Sequence, residues 1–428
     1  MSQDGFPEDF GLPRPLRIVR GNSAGSTGAQ TTMWTQVQDE AGNKAENLFV
    51  GGPPMGLQRY LGLIELSRRS TPKRAVLTTF ICWLPLMIMT LAQDLTIGDG
   101  SFFSFLSDFG AQARYLVAVP LLVLADAVCS PSLGRLIAQF RNSGLLAGTD
   151  ILRLDRRIDA MIPLRDSLRF EAGLLVLAFI IAGTLRYELP PIALPKWNYY
   201  SIGAITIYTV AGWWQVLVSI PILIMLILGW LWRLGLWTRL LILISRLQLN
   251  LIASHPDQCG GLKFIGLSLE SFSIVVFGFS VVVAGTVANR VIHDGLPLTE
   301  FQYAIGVFVV LVLILFAGPL FAFSLKLLAT RRHGIVSYGA LAQGMGSTFE
   351  REWLDGNAPG ADALKANDFS STTDLYSVAS NVYSMNVVPI SLTNLAVFLV
   401  TALLPFVPVL LLSVPIDLLL QRFSHLFI

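Results

Sequence analysis

Seven apolar runs, separated by polar segments, dominate the pattern of residues along the chain. They cover about residues 75–93, 112–130, 168–187, 203–230, 268–289, 301–328 and 390–416. A helix needs roughly 20 apolar residues to cross about 30 Å of hydrocarbon, and each run is close to that length. The pattern therefore predicts an all-α fold, a polytopic transmembrane helical bundle with about seven spans and cytoplasmic helical extensions.

The last run differs from the others because prolines divide it. Pro389, Pro405, Pro408 and Pro415 fall in or beside it. Proline interrupts the hydrogen bonds of a helix interior, so this segment is either one kinked span or a hairpin of two half-spans. The side of the C-terminus depends on which of the two forms.

The polar segments divide the rest of the chain. Residues 1–55 are rich in Gly, Ser, Thr, Gln and Pro, which predicts a disordered tail. We expect an amphipathic juxtamembrane helix at 56–74, a transmembrane core at 75–328 with cytoplasmic segments 131–168 and 231–267, a cytoplasmic helical segment at 329–385, and a final span with a tail at 386–428.

Composition and charge placement support a membrane location and set the orientation. The chain is 54% hydrophobic and 14% charged, where soluble domains carry about 25% charged residues. Of the 30 Lys and Arg residues, 25 lie in residues 1–74, 131–170, 231–270 and 326–385. By the positive-inside rule these segments are cytoplasmic, which predicts a multi-pass membrane protein with a cytoplasmic N-terminus. A net charge of +2 gives no reason to expect nucleic-acid binding.

The fourth run predicts a helix that continues beyond the membrane to about Asn250. Trp230, Trp232 and Trp237 stand where an interfacial aromatic belt is expected. In the fifth run, Gly278 and Gly285 lie seven residues apart, a spacing that favours close helix packing. No internal repeat is apparent.

Three acidic residues lie at the predicted inner ends of spans, namely Asp126, Glu171 and Glu270. Ionisable groups inside apolar runs are costly and often functional, so one interpretation is a vestibule for cations or protons. The alternative is structural: Glu171 and Glu270 open helices whose dipoles favour a carboxylate. Asp126 stands near a helix C-terminus and needs a specific partner, such as Arg165, Arg169 or another arginine.

The segment His255-Pro256-Asp257-Gln258-Cys259-Gly260-Gly261-Leu262 joins the fourth and fifth spans. Alternating His, Asp and Cys invites a metal interpretation, but zinc sites normally draw ligands from a second cluster. We instead expect a rigid turn held by hydrogen bonds to the Asp257 side chain, placed where a gate or hinge is plausible.

No nucleotide-binding loop, H-E-x-x-H or nucleophile elbow is present in the sequence. These observations predict a protein that is not an enzyme and has no cofactor or metal.

Several motifs together resemble a broad family of uncharacterised bacterial polytopic inner-membrane proteins with an HPD-x-x-GGL cytoplasmic turn. They are Leu164-Arg165-Asp166-Ser167, Trp213-Trp214 through Pro221 to Arg233, His255-Pro256-Asp257 with Gly260-Gly261-Leu262, Arg331-Arg332 with Tyr338-Gly339-Ala340-Leu341-Ala342, and Val388-Pro389. The match covers about residues 75–425 and is loose at 369–380. The resemblance implies a polytopic helical fold and a location in the bacterial inner membrane, but no activity. It singles out Asp126, Arg165, Asp166, Glu171, His255, Asp257, Gly260 and Gly261.

Two functional hypotheses remain open. The first is a channel or transporter for an ion or small solute, with Asp126, Glu171 and Glu270 on the pathway and the turn at 255–261 as an inner gate. The second is a non-transporting scaffold or sensor whose cytoplasmic segments recruit a protein partner. The expected partners are the lipid bilayer, a second copy in a homo-oligomer and a cytoplasmic protein.

Overall fold

The computed structural model describes residues 49, 71–188, 195–202, 205–353 and 367–413. The main elements are α1 (Thr71–Ile97), α2 (Ser101–Leu106), α3 (Phe109–Asn142), α4 (Gly148–Arg165), α5 (Leu168–Glu188), β1 (Tyr199–Ile202), β2 (Ile205–Tyr208), α6 (Val210–Ser245), α7 (Leu267–His293), α8 (Gln302–Ala317), α9 (Ser324–Trp353), α10 (Asn367–Tyr383), α11 (Leu392–Leu403) and α12 (Phe406–Ser413).

The all-α transmembrane bundle is confirmed. Within the described residues, six helical segments are long and apolar enough to cross a membrane, with lengths of 27, 34, 20, 36, 31 and 54 residues. A seventh candidate is the pair α11 and α12, which is bent by 48° at a short break and fits either a broken span or a re-entrant loop. The protein therefore fits a multi-pass integral membrane protein.

The first six spans form three hairpins, each with a longer second helix. The returning segments have 34, 36 and 54 residues. At 1.5 Å per residue even the shortest is about 51 Å long, against about 30 Å of hydrocarbon. In the third hairpin, the 3₁₀ turn Gly318–Phe323 joins α8 to α9, which carries the helix onward.

The overhanging ends of α3, α6 and α9 lie together on one side of the bundle. Leu146 and Leu249 form an antiparallel bridge, and the Asn250 N–H donates to the Leu145 carbonyl at 2.8 Å. Lys326 donates to the Leu247 carbonyl. We call these ends, together with α4, α10 and the turn at 246–262, the extramembrane layer.

Two of the long helices share a local irregularity that repeats in the sequence. Leu116-Val117-Ala118-Val119-Pro120 in α3 corresponds to Leu217-Val218-Ser219-Ile220-Pro221 in α6. Each has a π-helical turn before its proline, with i to i−5 hydrogen bonds from Val119 to Arg114 and from Ile220 to Gln215. Proline lacks an N–H and its ring presses on the carbonyl four residues earlier, which accounts for the wide turn. This short repeat was missed in the sequence.

The fourth span begins later than its apolar run predicts. Residues 199–202 and 205–208 form an antiparallel two-stranded hairpin, and the helix begins at Val210. Tyr, Ile and Thr, which are enriched in strands, make up most of both strands. Thr209 then stops the strand and caps the helix, because its hydroxyl accepts from the Gly212 N–H at 2.9 Å.

Trp230, Trp232 and Trp237 were expected to form an aromatic belt at the membrane surface, and this prediction is wrong for two of the three. Trp230 and Trp237 are buried in the protein. Trp230 Nε1 donates to the Leu122 carbonyl of α3 at 2.8 Å, and Trp237 packs edge-on against Phe49. These residues hold helices together rather than anchoring the protein at the lipid surface.

The first span begins at Thr71, so the end of the predicted amphipathic helix at 56–74 belongs to α1. The remainder of that helix, the connector at 354–366 and the tail at 414–428 lie outside the described residues. So does the predicted disordered tail at 1–55, apart from Phe49, which is buried in the core.

Helix α7 is the central element of the bundle. Of its apolar window, 61% is buried, more than in any other span of the described chain. Its small residues permit close approach: a Cβ on Gly278 would lie 2.9 Å from Leu122, and one on Gly285 would lie 2.4 Å from the Ala113 Cβ. The packing role expected for these glycines is confirmed.

We expect Gly285→Ala to lower the free energy of unfolding by about 1–3 kcal/mol, because the added methyl group overpacks the contact with α3. Gly306→Ala on α8 is the matched control, since its Cβ would have no atom within 4 Å, and helix propensity predicts a small gain in stability. Unfolding in mixed micelles measures both, and an equal response of the two variants would contradict this packing.

Candidate functional site

Asp126 lies between two arginines contributed by other helices. Its Oδ1 is 3.2 Å from an Arg233 guanidinium nitrogen on α6, and its Oδ2 is 4.0 Å from one of Arg74 on α1. All three side chains are largely buried. The carboxylate, which no helix dipole favours at this position, is thus compensated within the protein.

Ser130 and Phe49 extend this cluster. The Ser130 hydroxyl lies 3.0 Å from Asp126 Oδ1 and 2.9 Å from the Phe49 carbonyl, so its single proton is shared between two acceptors. The Phe49 ring packs edge-on against Trp237 at 5.8 Å between centroids. Residue 49 is therefore fixed between α3 and α6, beside the ion cluster.

Arg233 is further held by an aromatic ring. Its guanidinium lies 4.6 Å from the centroid of Trp230, a distance at which a cation and an aromatic face attract. Trp230 donates a hydrogen bond to α3, and Arg233 pairs with Asp126 on the same helix. Both side chains of α6 therefore bind α3. The cluster therefore contributes to packing of the bundle.

The other predicted residues of the pathway are placed differently. Glu171 is buried in the first turn of α5, whereas Glu270 is exposed in the first turn of α7. Arg165 and Asp166 bind each other at the end of α4, with Nε and Oδ1 2.8 Å apart. Asp126 thus pairs with Arg233 and Arg74, and the vestibule of three acids stays a prediction.

The turn between α6 and α7 is built around the Asp257 carboxylate. Its Oδ1 accepts from the N–H groups of Cys259 at 2.8 Å and Gly261 at 3.1 Å, and its Oδ2 accepts from the N–H of Lys263 at 3.1 Å. His255 Nδ1 lies 2.8 Å from Oδ1. The expected turn held by Asp257 is present.

Backbone geometry explains the glycine pair in this turn. Gly260 and Gly261 have φ values of +63° and +94°, which side chains rarely tolerate. A Cβ on either would also approach Met385 or Leu145 to 3.2 Å. Glycine here lets the turn pack against the layer.

These bonds decide the charge state of Asp257. Burial by itself would raise the pKa of the carboxyl group, but the three backbone N–H groups and His255 outweigh burial and hold that pKa below its ordinary value of 3.8. Burial raises the pKa of the neighbouring Cys259 thiol to about 11, so the thiol stays protonated at neutral pH. Its sulfur lies 3.8 Å from the Val388 carbonyl.

The described residues contain no group of three His, Cys, Asp or Glu side chains placed to hold a metal ion. His255 and Asp257 instead border an open cavity of about 360 Å³ in the layer. Polar side chains from other segments complete its lining, namely Gln139 and Ser143 near the end of α3, Asn250 after α6, and Lys263.

Sequence reasoning identified the turn but missed these lining residues. Gln139 and Ser143 precede Asn250 and Lys263 by more than 100 positions, and no local pattern marks any of the four. Arg233 carried a usable signal, because a charge that follows an apolar run needs a partner. Its pairing with Asp126 required the packing of α3 against α6.

No family model, no curated protein and no solved structure matches this chain. The resemblance to bacterial inner-membrane proteins therefore stays a prediction, and the site is interpreted from its own geometry.

We expect Asp126→Asn to cost about 3–5 kcal/mol in unfolding free energy, because it leaves buried arginines without their carboxylate. Adding Arg233→Met should recover part of this loss. The control is Asp294→Asn, which breaks the exposed Arg290 pair and should cost less than about 1 kcal/mol. Similar losses for Asp126→Asn and Asp294→Asn would show that the buried cluster is unimportant for stability.

We expect Asp257→Asn to lower stability at neutral pH by about 2 kcal/mol, since an amide oxygen replaces a carboxylate that accepts several hydrogen bonds. The pKa of Asp257 is lower in the folded protein than the ordinary value of 3.8 expected in the unfolded chain. The ionised carboxylate therefore stabilises the fold fully above pH 3.8, and this stabilisation is lost as the pH falls through the folded pKa. The gap between wild type and variant should therefore narrow below pH 3.8. Thermal unfolding across pH measures it, with the exposed Asp374→Asn as control; a gap that does not change with pH would refute this assignment.

Proposed function

We propose that this protein is a non-transporting membrane scaffold that recruits a protein partner through its extramembrane layer. The observation that carries the proposal is the sealed environment of Asp126. The ionisable group most suited to a transport pathway is compensated by Arg233 and Arg74 inside the packed bundle, while the layer exposes a groove.

The groove lies between α9 and α10 and has a volume of about 400 Å³. Leu341, Met345 and Phe349 give it an apolar lining, and Ala340 and Gly344 leave it open. Val336 and Leu341 on α9 are 72% and 53% exposed. They follow the charged Arg331 and Arg332, which supports a position outside the hydrocarbon.

Close contacts hold α9 against α10 and the neighbouring turn. A Cβ on Gly346 would lie 2.7 Å from the Tyr376 hydroxyl of α10, and one on Gly334 would lie 2.5 Å from the Ala253 Cβ. Arg331 also donates to the Tyr383 carbonyl at 3.1 Å. A preformed groove loses little conformational entropy on binding, and its shape suits the apolar face of an amphipathic helix.

The distribution of Lys and Arg supports a cytoplasmic position for this layer, and the resemblance in sequence supports a location in the bacterial inner membrane. The partner on this proposal is a cytoplasmic protein that presents an amphipathic helix. A channel or transporter is the rival function, and it requires Asp126 to exchange its arginine partners for a solute.

We expect a photo-crosslinking amino acid at position 341 to capture a specific protein in native membranes. The same probe at position 310, on the exposed face of α8, should capture no such protein because that face meets lipid. Adding Met345→Glu should abolish capture at position 341, since a charge in the groove opposes apolar docking.

Flux measurements provide the opposing test. The proposal predicts that purified protein in liposomes moves no ion or small metabolite above the background of empty liposomes. A flux that Asp126→Asn removes would support transport instead, and crosslinks only between copies of this chain would remove the support for a partner.

A further inference from the structure

The cavity beside the His255–Gly261 turn contains polar side chains that the fold does not use. Gln139, Ser143, Asn250 and Lys263 all line it, and in the described part of the chain their side chains make no hydrogen bond or ion pair. All four side chains are exposed to solvent, so they are accessible to a ligand in the cavity. Ligand sites are concave and carry a small number of polar groups that orient the ligand, and these four side chains could serve in that way.

The hydrogen-bonding groups that remain unoccupied around the cavity are mostly donors, which suits an anion. Lys263 contributes an ammonium group that has no ion-pair partner among the described residues. The Asp257 carboxylate also lines the cavity, but its two oxygens already accept hydrogen bonds from three backbone N–H groups and lie beside His255. The nearby Arg141 is already paired with Asp155. The amide groups of Gln139 and Asn250 and the hydroxyl of Ser143 add neutral donors that can surround oxygen atoms.

The shape and position of the cavity narrow the ligand further. A volume of about 360 Å³ is near the lower end of small-molecule sites. Leu145, Ile252 and Phe264 provide an apolar wall. Lys263 opens the helical segment Lys263–His293 that enters the apolar bundle, so the cavity lies close to the membrane surface.

We infer that this cavity binds a compact phosphate group, with Lys263 as its cation and Gln139, Ser143 and Asn250 as its hydrogen-bonding groups. A lysine ammonium is a common ligand of phosphate in proteins. The phosphate comes either from a small soluble phosphate ester or from the headgroup of an anionic lipid. The site is independent of partner recruitment through the groove, so either proposal can fail alone.

The first arm of the test uses soluble phosphate. Full-length protein in nanodiscs of neutral phosphatidylcholine is titrated with inorganic phosphate and with glycerol phosphate, and thermal unfolding is recorded. Wild type should show a saturable rise in Tm. Lys263→Gln should weaken the apparent affinity at least tenfold, and Asn250→Asp, nearly isosteric but negatively charged, should do the same.

Lys73→Gln is the matched control, because Lys73 is also exposed in the first turn of a span but does not line the cavity. It should bind like wild type. Phosphate also stabilises proteins non-specifically, an effect that does not saturate and is equal in all variants. Each variant must first show a cooperative melt without ligand, and Asn250→Asp keeps the test valid if Lys263→Gln fails this check.

The second arm replaces part of the phosphatidylcholine with phosphatidylglycerol. If the source is a headgroup, this lipid should raise Tm in wild type and Lys73→Gln but not in Lys263→Gln, while soluble phosphate has no effect. The inference is overturned if neither arm gives a saturable rise, or if Lys263→Gln and Asn250→Asp respond as wild type does.

Discussion

A charge inside an apolar helix must find its compensation within the protein, and the Asp126 cluster shows how this constraint organises the bundle. Asp126 on α3 binds Arg233 of α6 and lies near Arg74 of α1, so one carboxylate connects three helices. Hydrocarbon offers no water to replace a lost partner. The cluster therefore specifies which helices are neighbours. The surrounding apolar contacts specify the arrangement of helices less strongly, because lipid can make similar contacts.

The three hairpins extend the packed bundle beyond the membrane. Their returning helices are longer than the bilayer requires. The ends of α3 and α6 are joined by backbone hydrogen bonding between residues 145–146 and 249–250, and α9 is joined to them by the Lys326 side chain. The groove and the polar cavity both lie in this layer, where side chains can meet water-soluble molecules. Both of the proposed binding sites depend on this layer.

Some unusual conformations in this protein follow from the local sequence, whereas others depend on contacts between distant segments. Pro120 and Pro221 explain the two π turns from chemistry within a single helix. Gly260 and Gly261 are understood partly from their positive φ values and partly from Leu145 and Met385, which come from distant segments. Phe49 is the clearest tertiary effect: it lies in a segment whose composition predicts disorder, yet Ser130 and Trp237 hold it in the core.

The sequence by itself determined the fold class, the six long spans, the bent seventh segment and the turn at Asp257. Hydrophobic length and the hydrogen bonding of nearby residues are local properties, so they can be read from the chain. Tertiary structure alone decided the partners of Asp126, the burial of Trp230 and Trp237, and the meeting of Gln139 and Asn250 with Lys263 in one cavity. These features depend on which faces of distant helices pack together. The apolar pattern cannot identify those faces, because most of these helices are apolar on every side.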